Sequence, residues 1–187
     1  MKRGVLFVIS GPSGVGKGTV IEQVMNRSEN LVFGVSDTTR APRPGEVDGV
    51  NYHYITREEF DENIKNGEML EYTCYNGNCY GTPKSAVEKA LSSGKNVLLD
   101  IEVEGAANVK RIFPECITLF MLPPSIEVLE SRLKGRGTET EQQIAGRMAR
   151  ARKELELVDN YNYRVVNDEV DRCADAILEI IAKHADN

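Results

Sequence analysis

The chain has 187 residues, 41% of them hydrophobic and 28% charged, with a formal net charge of −6 at pH 7. That length suits one domain burying about 70% of its unfolded surface, and no apolar run approaches the roughly 20 residues of a membrane-spanning helix. The acidic balance excludes nucleic-acid binding through a generally basic surface, so an anionic ligand must be held by local positive charge.

The opening "MKRGVLFVISGPSG" pairs two basic residues with an apolar stretch, but Gly11 and Pro12 cut it short and no small-residue cleavage site follows. It reads as a strand of a cytoplasmic protein, not as a signal peptide. "GVLFVIS" (4–10) is uninterrupted in the manner of a buried parallel strand. A helix is expected over 17–27, with Val20, Ile21, Val24 and Met25 at helical spacing. Residues 33–82 then break the rhythm. "NYHYI" (51–55) and "EMLEYTCYNGNCYGT" (68–82) read as strands, the second folded back at Asn76-Gly77. Between them Thr56 and Glu59 form a capping box. An antiparallel α+β insertion is expected here.

Alternation resumes with a helix over 83–94, started by Thr82 and Pro83 and stopped by Gly94. "NVLLDIE" (96–102) and "CITLFML" (116–122) read as buried strands around a helix at 105–113. Residues 134–147 are polar and glycine-flanked, then helical from a second capping box, Thr140 with Gln143. That composition fits a mobile flap. "YRVVN" (163–167) is a short strand, and 168–184 places Val170, Ala174, Ile177, Ile180 and Ile181 on one helical face. The whole reads as α/β, a parallel sheet with helices on both faces. The cysteines, Cys74, Cys79, Cys116 and Cys173, form no CxxC, and His53 and His184 lie far apart in sequence. Reduced thiols and no zinc site are expected.

Between the first strand and first helix lies "GPSGVGKGT", in which Gly11, four residues, Gly16 and Lys17 give most of a P-loop. Glycines let successive backbone N–H groups approach phosphate oxygens, the helix N-terminus adds partial positive charge, and Lys17 adds a full one. "VLLD" brings the Asp100 carboxylate to a strand's C-terminal end, where Mg²⁺ sits in such proteins. Gly18 offers no hydroxyl after Lys17. Mg²⁺ is therefore expected to rely on ATP phosphate oxygens and water, with Asp100 bonded to that water shell. Arg40 and Arg43, with Tyr52 downstream, would suit a small dianionic phosphate, the alternative being a solvated basic turn. In "RMARARKEL", Arg147 and Arg150 share a helical face, but the acidic residues that follow make it a solvated helix better than an RNA-binding one.

The stretches "SGPSGVGKGT", "VSDTTRAPRPGEVDGVNYHY", "GEMLEY", "NCYGTP", "LLDIEVEGA", "LKGRGTETEQQIAGRM" and "VVND" resemble the guanylate kinase family, in the family's order from residue 10 to 168. The resemblance implies a nucleoside monophosphate kinase that moves the γ-phosphoryl of ATP to GMP, and to dGMP, in purine nucleotide metabolism. It implies one domain with a core (1–33, 83–133 and 148–187), a GMP-binding insertion (34–82) and a lid (134–147). By similarity, Gly11, Pro12, Ser13, Gly14, Val15, Gly16, Lys17, Gly18 and Thr19 would hold ATP, with Asn167 near the adenine. Arg40, Arg43, Tyr52 and Tyr80 would hold the GMP phosphate; Ser36, Glu71 and Thr82 would read the guanine, with Asp100 in the same site. Lys17, Arg132, Arg136 and Arg147 would act on the transferring group. The family also includes scaffold domains that bind protein partners without catalysis, which commonly lose the loop or its lysine; both are intact here. Gly18, Glu102 and Cys79 depart from the family's usual residues.

Overall fold

Strand β1 (Leu6–Ser10) is buried at every position, and its period of two sends alternate side chains to opposite faces of a sheet. In the computed structural model, which describes residues 2–75, 77–135 and 140–185, Phe7 and Ile9 enter one core layer and Leu6 and Val8 the other. A strand covered on both faces needs a continuous apolar sequence, which is why this run was legible. β1 lies in the middle of a five-stranded sheet. The other strands of that sheet are β2 (Leu31–Phe33), β7 (Asn96–Asp100), β8 (Ile117–Leu122) and β9 (Tyr163–Val166), in the order β2-β7-β1-β8-β9. Every pairing in it is parallel.

Helices cover both faces. On the Phe7 side pack α1 (Lys17–Asn26), α5 (Ile126–Lys134), α6 (Glu141–Leu155) and α7 (Val170–Ala185), through residues such as Val24, Leu129, Met148 and Ile177. On the Leu6 side lie α3 (Lys84–Ser92) and α4 (Val103–Ile112), through Val87, Leu91, Ala106 and Val109. Among the described residues no helix is long and apolar enough to cross a membrane.

The second sheet has the order β4-β3-β6-β5. Its strands are β3 (Asp37–Thr38), β4 (His53–Tyr54), β5 (Met69–Tyr75) and β6 (Asn78–Pro83). The capping box of Thr56 and Glu59 forms as expected and starts α2 (Arg57–Lys65), whose Phe60 is buried beneath this sheet. The second box, Thr140 with Gln143, starts α6.

Several expectations are corrected. The insertion is not purely antiparallel: β3 and β4 run parallel, because the long excursion between them returns the chain to the same end. "NYHYI" contributes only His53–Tyr54 as strand. α4 starts at Val103, two residues early, with Glu102 extended at its N-cap. Thr82 does not start α3; it belongs to β6, and its hydroxyl donates to Glu71 instead. The expectation of reduced thiols fails at one pair, since a disulfide joins Cys74 to Cys79, while Cys116 and Cys173 are free and buried. Of the expected flap, residues 136–139, and Arg136 with them, lie outside the described residues, as does Asn76 at the hairpin turn.

Candidate active site

All strands of a parallel sheet end on one edge, where ligands of such folds collect. Here β1 ends at Ser10 and β7 at Asp100, in adjacent strands. The loop 11–16 leaves that edge and enters α1. Gly16 caps the helix with φ 99°, and a Cβ there would lie 2.6 Å from Asn167 Nδ2, so no side chain fits. Val15 is buried and ties the loop down. Its carbonyl accepts from Arg132 (2.9 Å) and from Asn167 Nδ2 (2.8 Å), and the second arm of Arg132 reaches the Asn167 carbonyl (2.9 Å). Among the described residues Asn167 Oδ1 is buried without a hydrogen-bond partner, an acceptor left over at the loop. Arg147, from α6, donates to the Ser13 hydroxyl. Arg132, Arg147 and Asn167, distant in sequence, thus all converge on the loop.

Lys17 folds over the loop, with Nζ 2.9 Å from the Gly11 carbonyl and 3.9 Å from an Asp100 carboxylate oxygen. Burial raises the Asp100 pKa, Lys17 opposes that rise and Glu102 adds to it. Gly18 and Thr19 are exposed in the first turn of α1, and a Cβ on Gly18 would meet open space. A carboxylate beside a loop lysine, with no hydroxyl after that lysine, fits a Mg²⁺ that keeps its waters and the nucleotide's oxygens as ligands.

The second sheet leans over the same edge. Lys17, Ser36, Glu71, Tyr80, Asp100 and Glu102 line a single cleft, joined by Tyr52. Glu71 is buried; its Oε1 accepts from the Thr82 hydroxyl at 2.8 Å, and Ser36 Oγ lies 3.4 Å from that hydroxyl. The single Thr82 hydroxyl proton points at Glu71, so Thr82 orients the carboxylate and can only accept from Ser36, whose long contact a ligand oxygen would replace. Burial raises the Glu71 pKa; the Thr82 bond lowers it and Glu102 raises it further. Gly105 lets α4 approach: a Cβ there would stand 2.5 Å from Glu71 Oε2.

Arg40 is held by a partner that the sequence did not reveal. Its Nη2 meets both oxygens of Glu46, at 2.9 and 3.0 Å, and its guanidinium lies 5.4 Å from the Tyr52 ring centroid. Glu46 also accepts from Tyr54 Oη (2.8 Å) and from the Arg43 backbone N–H (2.7 Å). The Arg40 bonds, above all, bring the Glu46 pKa down to about 2. Tyr52 and Tyr80 meet edge to face, 5.9 Å apart. The Arg43 side chain is exposed on this loop. Glu102 is clamped by Arg150 of α6 (2.7 Å), which also holds the buried Glu154 (2.8 Å). A larger cavity, about 500 Å³, lies apart from these groups beside Val103, Leu157 and Tyr161. Its lining is mostly apolar and holds none of the residues that the sequence singled out.

A parallel sheet, a glycine loop with its lysine at the central strand's end and a polar cleft beside them define a P-loop phosphate-binding protein. The chain belongs to the guanylate kinase family, whose model, described as guanylate kinase, matches residues 3–184. It is 50% identical to the guanylate kinase of Streptococcus thermophilus, over 98% of this chain and 88% of that one. To that of Oceanobacillus iheyensis it is 48% identical, over 96% and 87%. The crystal structure of guanylate kinase from Anaplasma phagocytophilum superposes with a TM-score of 0.83 at 33% identity, covering 100% of this chain and 88% of that one.

Proposed function

We propose that the chain transfers the γ-phosphoryl group of ATP to GMP, giving ADP and GDP, and accepts dGMP through the same base contacts. The observation that carries this reading is Glu71, a buried carboxylate in the same cleft as Lys17. Guanine presents N1–H and a 2-amino group side by side, which donate together to one carboxylate, and an O6 that accepts a hydrogen bond from the Ser36 hydroxyl. Adenine has no N1–H and places a donor where O6 would be. It would leave buried polar groups unpaired, a mismatch that discriminates by about 10⁴.

In this reading the second sheet and its helix, within 34–82, are the acceptor-binding unit and 134–147 the lid. Arg40, Arg43, Tyr52 and Tyr80 hold the acceptor phosphate. Lys17 and the amides of residues 11–19 hold the donor phosphates, and Asn167 lies toward the base of ATP. Arg132 and Arg147, already drawn to the loop, offset charge on the transferring group, joined by Arg136. Mg²⁺, bound with ATP, supplies further charge neutralisation, and Asp100 is the residue that would hold it, through water. The chain aligns the two nucleotides and keeps water from the transferring group; it has no covalent chemistry of its own to perform. ATP and GMP make it a cytoplasmic enzyme of purine nucleotide metabolism with no nucleic-acid or membrane partner. The intact loop and lysine speak against a non-catalytic scaffold. A coupled assay of ADP release with GMP, AMP, CMP and UMP tests the reading: GMP is expected to exceed the others by orders of magnitude, and comparable rates would overturn it.

Arg40→Ala is expected to raise the KM for GMP by about 10- to 100-fold, the loss of a charge-assisted contact of roughly 1.5–3 kcal/mol. ATP affinity without GMP should stay within error. Equal losses for both nucleotides in isothermal titration would refute separate sites. Asp100→Asn is expected to raise the Mg²⁺ concentration giving half-maximal rate, whereas Gly18→Ser, whose side chain enters open space, should keep its activity. A Mg²⁺ titration at fixed nucleotides checks both, and an unchanged curve for Asp100→Asn would show that the ion is organised elsewhere.

A further inference from the structure

The acceptor hairpin carries a covalent link that the proposed reaction does not use. Positions along β5 and β6 alternate between two faces. Glu71, Thr73 and Tyr80 line the cleft, which puts Tyr72, Cys74, Cys79 and Gly81 on the reverse, where Phe60 packs against Tyr72. Cys74 and Cys79 are register partners and are joined by the disulfide. Cys79 turns its backbone to β3: its N–H donates to Thr39 Oγ1 (2.8 Å), and its carbonyl accepts from the Thr39 N–H (3.0 Å) and from Thr38 Oγ1 (2.9 Å). Thr38 Oγ1 in turn accepts from the Arg40 N–H (3.2 Å). One bond on the reverse face therefore braces the strands that present Glu71 and Tyr80 and the turn that carries Arg40.

The two cysteines differ in access. Cys79 has no exposed surface, whereas Cys74 is exposed. We propose that Cys74 and Cys79 form a reversible thiol–disulfide site, exchanging with low-molecular-weight disulfides and thiols, whose oxidised form binds GMP more tightly. The proposal rests on GMP as the acceptor. In oxidation the Cys74 thiolate attacks one sulfur of a small disulfide RSSR, whose S–S bond breaks and releases RS⁻. The Cys79 thiolate then attacks the Cys74 sulfur, the Cys74–Cys79 bond forms, and a second RS⁻ leaves. The protein's dithiol loses two electrons and two protons, and RSSR becomes two RSH. Reduction reverses this, with a small thiol attacking the disulfide at the exposed residue Cys74. Cys116 and Cys173 stay out of the exchange. Both are buried, and burial pushes their thiols up, that of Cys173 to about 11, so neither offers a thiolate near neutral pH. A thiol-rich compartment holds the pair reduced and oxidative conditions close it, so the link reports the redox state to the acceptor site alone.

The full-length protein is equilibrated with excess oxidised or reduced glutathione, alkylated under denaturing conditions and weighed, and its KM for GMP and ATP is measured in each state. Two alkylated cysteines are expected in the oxidised form and four in the reduced one. The GMP KM should be about three- to ten-fold higher when reduced, the cost of ordering a few loosened side chains, with the ATP KM and kcat unchanged. Cys74→Ser, a change at an exposed position, should hold the higher GMP KM in both buffers. Four alkylated cysteines in both buffers, an unchanged GMP KM, or a redox shift that survives Cys74→Ser would overturn the proposal. GMP turnover with an unchanged KM refutes this inference alone; no GMP turnover in either state refutes the proposed function beneath it.

Discussion

Lys17→Met is expected to leave the protein folded and able to bind GMP while lowering kcat by about 10³-fold or more, some 4 kcal/mol of transition-state stabilisation. The fold should tolerate it because Lys17 contributes little there. Its pair with Asp100 is long, 3.9 Å, beyond hydrogen-bonding distance, so no hydrogen bond to that carboxylate is lost with it. Its bond to the Gly11 carbonyl lies on a loop that Val15, Arg132 and Asn167 hold independently. Methionine has a similar length and places no charge in the cleft. What disappears is a fixed positive charge where negative charge gathers between donor and acceptor, and water cannot replace it inside a closed site. Steady-state turnover paired with GMP titration calorimetry separates the two effects. Near-normal turnover would sink the role of the loop, and lost GMP binding would show that the two sites are not separate.

The parts of this site that the sequence disclosed are those whose physics is local. β1, β7 and β8 are covered on both faces, so they read as unbroken apolar runs, and the glycine loop follows β1 within a few residues. β2 (Leu31–Phe33) and β3 (Asp37–Thr38) are too short to show a period, and tertiary pairing alone makes them strands. The Arg40–Glu46 pair depends on the path of a loop with no repeating pattern; the sequence showed two arginines and gave no sign that a carboxylate already holds one of them. The start of α4 moved because the extended Glu102 caps it through backbone alone, with no side-chain signal. The disulfide has a local cause as well: the hairpin that joins β5 to β6 sets Cys74 opposite Cys79 in register.

Glu71→Gln is expected to cost GMP about 2–4 kcal/mol in kcat/KM, some 30- to 1,000-fold, and to shrink the preference for GMP over AMP. The amide still accepts from Thr82 but turns an NH₂ toward guanine donors, so one charge-assisted pairing is lost and a donor faces a donor. The acid limb of the pH profile should change as well. Burial holds the Glu71 pKa above its ordinary value, against the Thr82 hydroxyl and with help from Glu102. Lys17, Asp100 and Glu102 line the same cleft. Wild-type kcat/KM for GMP should therefore climb with pH as Glu71 loses its proton, and the glutamine variant should lose that step. Stability runs the other way. A carboxyl whose folded pKa is raised stabilises the fold below its unfolded pKa, and that contribution is lost as pH rises through the folded value. Above the folded pKa the wild type carries a buried charge that the amide removes while the Thr82 bond persists, so the variant should melt there at the same temperature or higher despite its lost activity. A lower melting temperature on that alkaline side would mean that Glu71 is a structural carboxylate. An unchanged ratio of GMP to AMP turnover would mean that it does not read the base.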